Sequence, residues 1–193
     1  MVRFFRLLVL LGWGFAAHAA DPQLVAELRK GGYILYIRHA STDFSKNDSR
    51  MKSYEDCASQ RNLTDKGRDE ARALGAHIRR LGIPVGKVYA SPFCRTVETA
   101  MLAFGKAEKT QEVRGGPVQP EDGQAYGPLR KLLAVPPAPG TNNVVSSHGN
   151  PYRAIFGDPY LAEGELAVVR PGGKAGFEAV ARIKLGDWEA LAP

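Results

Sequence analysis

The stretch Tyr33-Ile34-Leu35-Tyr36-Ile37-Arg38-His39-Ala40 constrains the fold more than any other part of the chain. Five successive apolar or aromatic residues follow Gly31-Gly32, and then an arginine and a histidine arrive together. A run of this kind, without polar alternation, reads as a strand buried on both faces, as in a parallel sheet flanked by helices. In open α/β sheets, ligands bind beyond the carboxyl ends of the strands. Arg38 and His39 stand at that end, which makes them the first candidates for chemistry.

The 193 residues fit one domain with a real core, and the 44% hydrophobic content excludes wholesale disorder. Residues 1–20 stand apart from that domain. Arg3 and Arg6 precede a short apolar run from Leu7 to Phe15, and Ala17-His18-Ala19 supplies the small residues of a cleavage site. This is the pattern of a secretory signal peptide, with an uncleaved anchor as the alternative. The expected organisation is a signal peptide over 1–20 and one folded domain over 21–193. The mature protein is then exported, periplasmic or secreted, without stable membrane insertion after cleavage.

The formal charge of +6 falls to about +4 without Arg3 and Arg6. The remaining Lys and Arg are scattered, so nucleic acid is not an expected partner. A mild positive field suits a small anionic substrate, although most such charge simply solvates a surface. The two cysteines, Cys57 and Cys94, form an even count, which in an exported chain points to one disulfide; two separate thiols are the alternative.

Taken in order, Pro22 to Lys30 reads as a short helix ended by Gly31-Gly32. After the key strand, residues 41–62 are polar and irregular, a long loop where function tends to collect. Thr64 looks like an N-cap for a helix that presents Ala71, Leu74, Ile78 and Leu81 on one face. His77 in that helix reads as a half-exposed structural residue. Val85 to Ala90 reads as a strand. Ser91-Pro92 then reads as the cap and first residue of a helix whose first turn holds Arg95, where backbone N–H groups already favour anions. Residues 106–123 read as loop with a short extended piece, and 124–135 as a further helix. Asn143 to Asn150 repeats the opening theme: an apolar strand ends in His148, and Pro151 can start a helix. Glu165 to Arg170 and Phe177 to Ile183 read as a hairpin joined by Pro171-Gly172-Gly173.

The residues collected at these ends are Arg38, His39, Arg95 and His148. Two guanidiniums can grip a phosphate through paired, charge-assisted hydrogen bonds and stabilise charge on a transferring phosphoryl group. One imidazole can be a covalent nucleophile and the other a hydrogen-bond donor. No P-loop, G-x-S-x-G or metal-ligand spacing competes, so neither a cofactor nor a metal is expected.

These residues resemble a known family. Arg38-His39-Ala40, the run from Ser91 to Ala100 and Ser147-His148-Gly149 are similar to the three signatures of the histidine phosphatase (phosphoglycerate mutase-like) superfamily. Asn62-Leu63-Thr64 with Gly67 and Ala71 resembles its helix start. The resemblance implies a three-layer α/β/α sandwich with a mostly parallel central sheet. It also implies that His39 carries the phosphoryl group, that Arg38, Arg95 and His148 bind the phosphate, and that water then releases it. Ala40 replaces the usual glycine after the nucleophile, as in an exported branch resembling the lipopolysaccharide core heptose phosphate phosphatase. No surrounding motif marks the acid that many members use, and Glu108, Glu112, Glu121, Asp122, Glu163 and Glu165 all stand as candidates. A Cys57–Cys94 bridge is expected to fix the 41–62 loop over the phosphate pocket. The expected function is hydrolysis of a small phosphomonoester. Its rivals are a phosphoglycerate mutase, a protein-phosphohistidine phosphatase, and a non-catalytic phosphate-ester-binding module. Oligomeric state stays open.

Overall fold

The apolar run forms the centre of the molecule. The computed structural model describes residues 22–116 and 126–191; the expected signal segment lies outside them. Strand β1, Ile34–Arg38, has no exposure at Ile34, Leu35, Tyr36 or Ile37. It is flanked by β4 (Asn142–Ser147), which runs parallel to it, and β5 (Leu166–Pro171), which runs antiparallel. Beyond β4 lie the parallel strands β2 (Val85–Ala90) and β3 (Glu108–Lys109). Beyond β5 lies the antiparallel β6 (Phe177–Ile183). The six-stranded order is β3-β2-β4-β1-β5-β6, a parallel sheet extended at one side by the expected hairpin.

Alternate side chains of β1 feed two cores, as the two-residue period of a strand requires. Leu35 and Ile37 pack with Val25 and Leu28 of α1 (Pro22–Lys30) and with Leu74 and Ile78 of α2 (Asp65–Arg80). Ala100 of α3 (Cys94–Phe104) closes that layer. Ile34 and Tyr36 pack on the opposite face with Leu129 and Leu133 of α4 (Gly127–Ala134) and Tyr152 of α5 (Gly149–Phe156). The result is the three-layer α/β/α sandwich. Thr64 caps α2, accepting the Gly67 N–H at 3.0 Å. Gly67 is needed because a Cβ there would stand 2.1 Å from the Ser41 carbonyl oxygen, where α2 closes on the chain leaving β1.

Two helix starts differ from the sequence reading. Helix α3 begins at Cys94 rather than at Pro92, because the Ser91 hydroxyl pairs with His148 Nε2 at 2.8 Å instead of capping. The orphan N–H of Cys94 is satisfied from outside by Gln60 Oε1 at 2.9 Å. Helix α5 begins at Gly149, directly after His148, and Pro151 falls within its first turn. The expected helix over 124–135 is observed as Gly127–Ala134, and part of the neighbouring loop lies outside the described residues. No helix among the described residues is long and apolar enough to cross a membrane.

Candidate active site

Strand register brings the two histidines together. Arg38 of β1 pairs with Ser147 of β4, so the next residues, His39 and His148, stand side by side beyond the carboxyl ends of two parallel strands. The His39 N–H donates to the Ser147 carbonyl at 3.0 Å, which carries the ladder one residue further. The imidazole centroids are 5.4 Å apart and meet edge to face. The buried Tyr36 hydroxyl donates to the His148 carbonyl at 2.7 Å and fixes the second histidine from below. Phe93 packs edge-on against the His148 ring at 5.1 Å.

The tautomer of His39 follows from its contacts. Its Nδ1 lies 3.0 Å from the Ala40 carbonyl oxygen, which can only accept, so Nδ1 carries the proton. Nε2 is left with its lone pair, as a nucleophile requires. Burial pushes the His39 pKa well below the ordinary value, and Arg95, Arg38 and Arg61 push it further, so the ring is neutral. Burial likewise lowers His148, with His39 and the arginines adding to the effect.

This has a measurable consequence. Below about pH 6.5 the unfolded chain protonates both imidazoles while the native state does not. The unfolded state then binds more protons, so stability falls as pH drops through that window. Each histidine contributes a slope of up to about 1.4 kcal/mol per pH unit there. Urea denaturation at pH 7.5 and 5.5 is expected to show lower stability at the acid value, and His39→Ala is expected to reduce the difference, leaving the part due to His148.

The arginines converge on the same place. Arg38, Arg61 and Arg95 line a cavity of about 300 Å³ together with His39, Asp48 and His148. Among the described residues, three buried side-chain polar atoms lack a hydrogen-bond partner, and two of them are Arg38 Nε and Arg95 Nε. Guanidiniums that line one cavity and keep an unpaired N–H fit an anion with several acceptor oxygens. Other nitrogens of both guanidiniums are anchored. Arg38 Nη1 donates to the Leu161 carbonyl at 2.8 Å, and Arg95 Nη1 meets both Asp48 carboxylate oxygens at 3.1 Å. Tyr160 lies under Arg38 at 5.1 Å and Phe93 under Arg95 at 4.4 Å. Gly149 keeps the floor open beside Tyr160, since a Cβ there would meet that ring at 2.0 Å.

Cys57 and Cys94 are joined by a disulfide, with Cα atoms 5.7 Å apart. The bond ties the 41–62 loop to the residue before Arg95. The same loop delivers Asp48 and Arg61, whose backbone N–H donates to Asp48 Oδ1 at 2.9 Å.

The carboxylate candidates separate cleanly. Glu112 is exposed and lines a different depression with Tyr89, Lys131 and Val135. Glu108 is exposed on edge strand β3. Glu165 is buried but locked in a two-pronged ion pair with Arg182. Glu121 and Asp122 lie outside the described residues. Among the described candidates, Glu163 alone comes near His39, with Oε1 3.8 Å from His39 Nδ1. Asp48 and Arg61 escape the sequence reading because they belong to an irregular loop with no period to place them.

The fold and the site together define an α/β protein with two buried, neutral imidazoles beside a cluster of guanidiniums at the carboxyl edge of a parallel sheet. Residues 34–116 match the family model of the histidine phosphatase superfamily (branch 1), the segment that holds Arg38, His39 and Arg95. No curated protein matches the chain. Among solved structures, the protein histidine phosphatase SixA complexed with tungstate is 19% identical, covers 80% of this chain and 97% of its own, and superimposes with a TM-score of 0.53. A phosphoserine phosphatase mutant from Entamoeba histolytica in complex with phosphoserine is 13% identical, covers 79% and 97%, and gives 0.55. At these identities the likeness establishes the histidine phosphatase fold. The chain thus matches the histidine phosphatase superfamily model over 34–116 and shares the fold of its solved neighbours over about four fifths of its length.

Proposed function

We propose that the chain is an exported phosphatase that hydrolyses a small phosphomonoester through a phosphohistidine on His39. The single observation that carries the reading is the tautomer of His39: a neutral ring, protonated on Nδ1 by its bond to Ala40, beside two arginines with unmet N–H groups. His39 Nε2 attacks phosphorus, the P–O ester bond breaks, and the electron pair leaves on the alcohol oxygen, which takes up a proton. Arg38, Arg95 and His148 bind the phosphoryl oxygens and stabilise the charge that spreads over them. Water then attacks phosphorus, and the electron pair of the P–N bond returns to Nε2. The side chains that bind phosphate and attack it are all supplied by the protein, and no cofactor is invoked.

Export is supported by the signal-like pattern of residues 1–20 and by the Cys57–Cys94 disulfide, a bond that persists in oxidising compartments. A phosphorylated sugar or envelope component is supported by the exposed aromatic rings Phe44 and Tyr160. They stack on Arg61 and Arg38, two of the guanidiniums that line the cavity, and offer apolar faces to a ring-shaped leaving group. The test is hydrolysis of a chromogenic aryl phosphate by the mature, disulfide-bonded protein in the presence of a chelator. Turnover is expected. Tight phosphate binding without turnover would replace this reading with a phosphate-ester-binding module.

A further inference from the structure

Glu163 does not line the phosphate cavity, yet its carboxylate contacts more of the site than any other acidic group among the described residues. It accepts the Thr42 hydroxyl at 2.6 Å and the Thr42 N–H at 3.2 Å, which fix its position. Its Oε1 lies 3.4 Å from Arg38 Nη2, 3.7 Å from Arg61 Nη1 and 3.8 Å from His39 Nδ1. The following residue, Gly164, donates its N–H toward the Arg38 and His39 carbonyls at 3.1 and 3.0 Å, so the turn is fastened to the end of β1. Glu163 therefore approaches His39 from the side of the proton-bearing nitrogen, away from the ester oxygen that needs a proton. Its place suits a different task from that of the leaving-group acid.

We propose that Glu163 is a positioning residue for the phosphoenzyme: it steadies Arg38 and Arg61 and holds the proton on Nδ1 while Nε2 carries the phosphoryl group. This rests on His39 being the phosphoryl carrier. Once Nε2 is bonded to phosphorus, the ring with its Nδ1 proton is a cation. Arg38 and Arg61 from one side, Arg95 from the cavity and neutral His148 beside it do nothing to stabilise that cation. Asp48 is engaged by Arg95, which leaves Glu163 as the near carboxylate among the described residues. In the second step the P–N electron pair returns to Nε2. With Nδ1 still protonated, the ring departs as neutral imidazole and the products are inorganic phosphate and the starting tautomer. If Nδ1 loses its proton first, the ring must depart as imidazolate, a far poorer leaving group. A fixed negative charge at Nδ1 therefore extends the pH range over which water can discharge the enzyme.

The experiment is rapid-quench measurement of phosphohistidine decay from pH 6 to 10, after loading with a dinitrophenyl phosphate. Glu163→Gln is expected to move the alkaline fall in the decay rate by about one pH unit toward acid and to slow decay about tenfold on that limb. Glu163→Asp, which keeps the charge, is expected to retain most of the wild-type profile. Thr42→Val removes the tether but not the carboxylate. It is expected to move the limb in the same direction by less, and it serves where the glutamine variant does not fold. A Glu163→Gln enzyme with altered KM or stability but an unmoved alkaline limb would overturn the proposal and leave the phosphohistidine reading intact. Turnover by wild type with no phosphohistidine at any time would overturn both.

Discussion

His39→Ala is expected to lower kcat for an aryl phosphate by about 10³-fold or more, because it removes the atom proposed to form the bond to phosphorus. The change leaves Arg38, Arg95 and His148 in place, so binding of inorganic phosphate is expected to survive. That separation of turnover from binding distinguishes a nucleophile from one more phosphate ligand. The variant should fold. His39 is a short extension of the β1–β4 ladder, and its backbone N–H bond to Ser147 is retained by alanine. Its side chain is also a buried polar group kept neutral at a cost, and the loss of that cost below about pH 6.5 offsets part of the lost packing. Activity measured beside equilibrium phosphate binding checks the prediction. A variant that loses both together would show instead that His39 chiefly shapes the pocket.

Opening the Cys57–Cys94 bond is expected to have the largest effect on stability. The bond closes a segment of 37 residues, for which the chain-entropy model gives about 4 kcal/mol at 25 °C. A paired Cys57→Ser and Cys94→Ser protein, or the wild type in strong reductant, is expected to unfold at correspondingly lower urea. The bond also serves the site. Cys94 begins α3 one residue before Arg95, and Gln60, three residues after Cys57, accepts its N–H. Asp48 and Arg61 reach Arg95 from that same loop. Freeing the loop is therefore expected to raise KM more than it lowers kcat, since it loosens the proposed phosphate ligand Arg95 and leaves the proposed nucleophile on its rigid strand. Urea titration and steady-state kinetics on the serine pair check both effects. An unchanged KM would show that α3 alone holds Arg95.

Much of this site can be read from the chain because its residues end regular elements. The apolar run of β1 and the second run ending at Ser147 announce buried strands, and a histidine directly after each one stands at a carboxyl edge wherever the sheet is parallel. Arg95 is legible for a related reason: it falls in the first turn of a helix that follows a short strand. What escapes is set by contacts far apart in sequence. Glu163 meets Arg38 across 125 positions, and nothing in Ala162-Glu163-Gly164-Glu165 tells the residue that reaches His39 from the one that Arg182 neutralises. Asp48 and Arg61 sit in a polar loop without a period, so only the folded loop, with its disulfide, shows that both face the cavity. The start of α3 is misread because Ser91 is a sound N-cap by local chemistry, and a long-range partner, His148, takes its hydroxyl instead.

The central claim is that His39 Nε2 carries the phosphoryl group. The most direct measurement is to quench the enzyme during turnover of an aryl phosphate, digest it at mildly alkaline pH, where phosphohistidine survives, and locate the added phosphoryl mass by peptide fragmentation. The account predicts an acid-labile phosphoryl group on His39, absent from His39→Ala. Phosphorylation of His148 instead, or sustained turnover with no labelled residue, would contradict it.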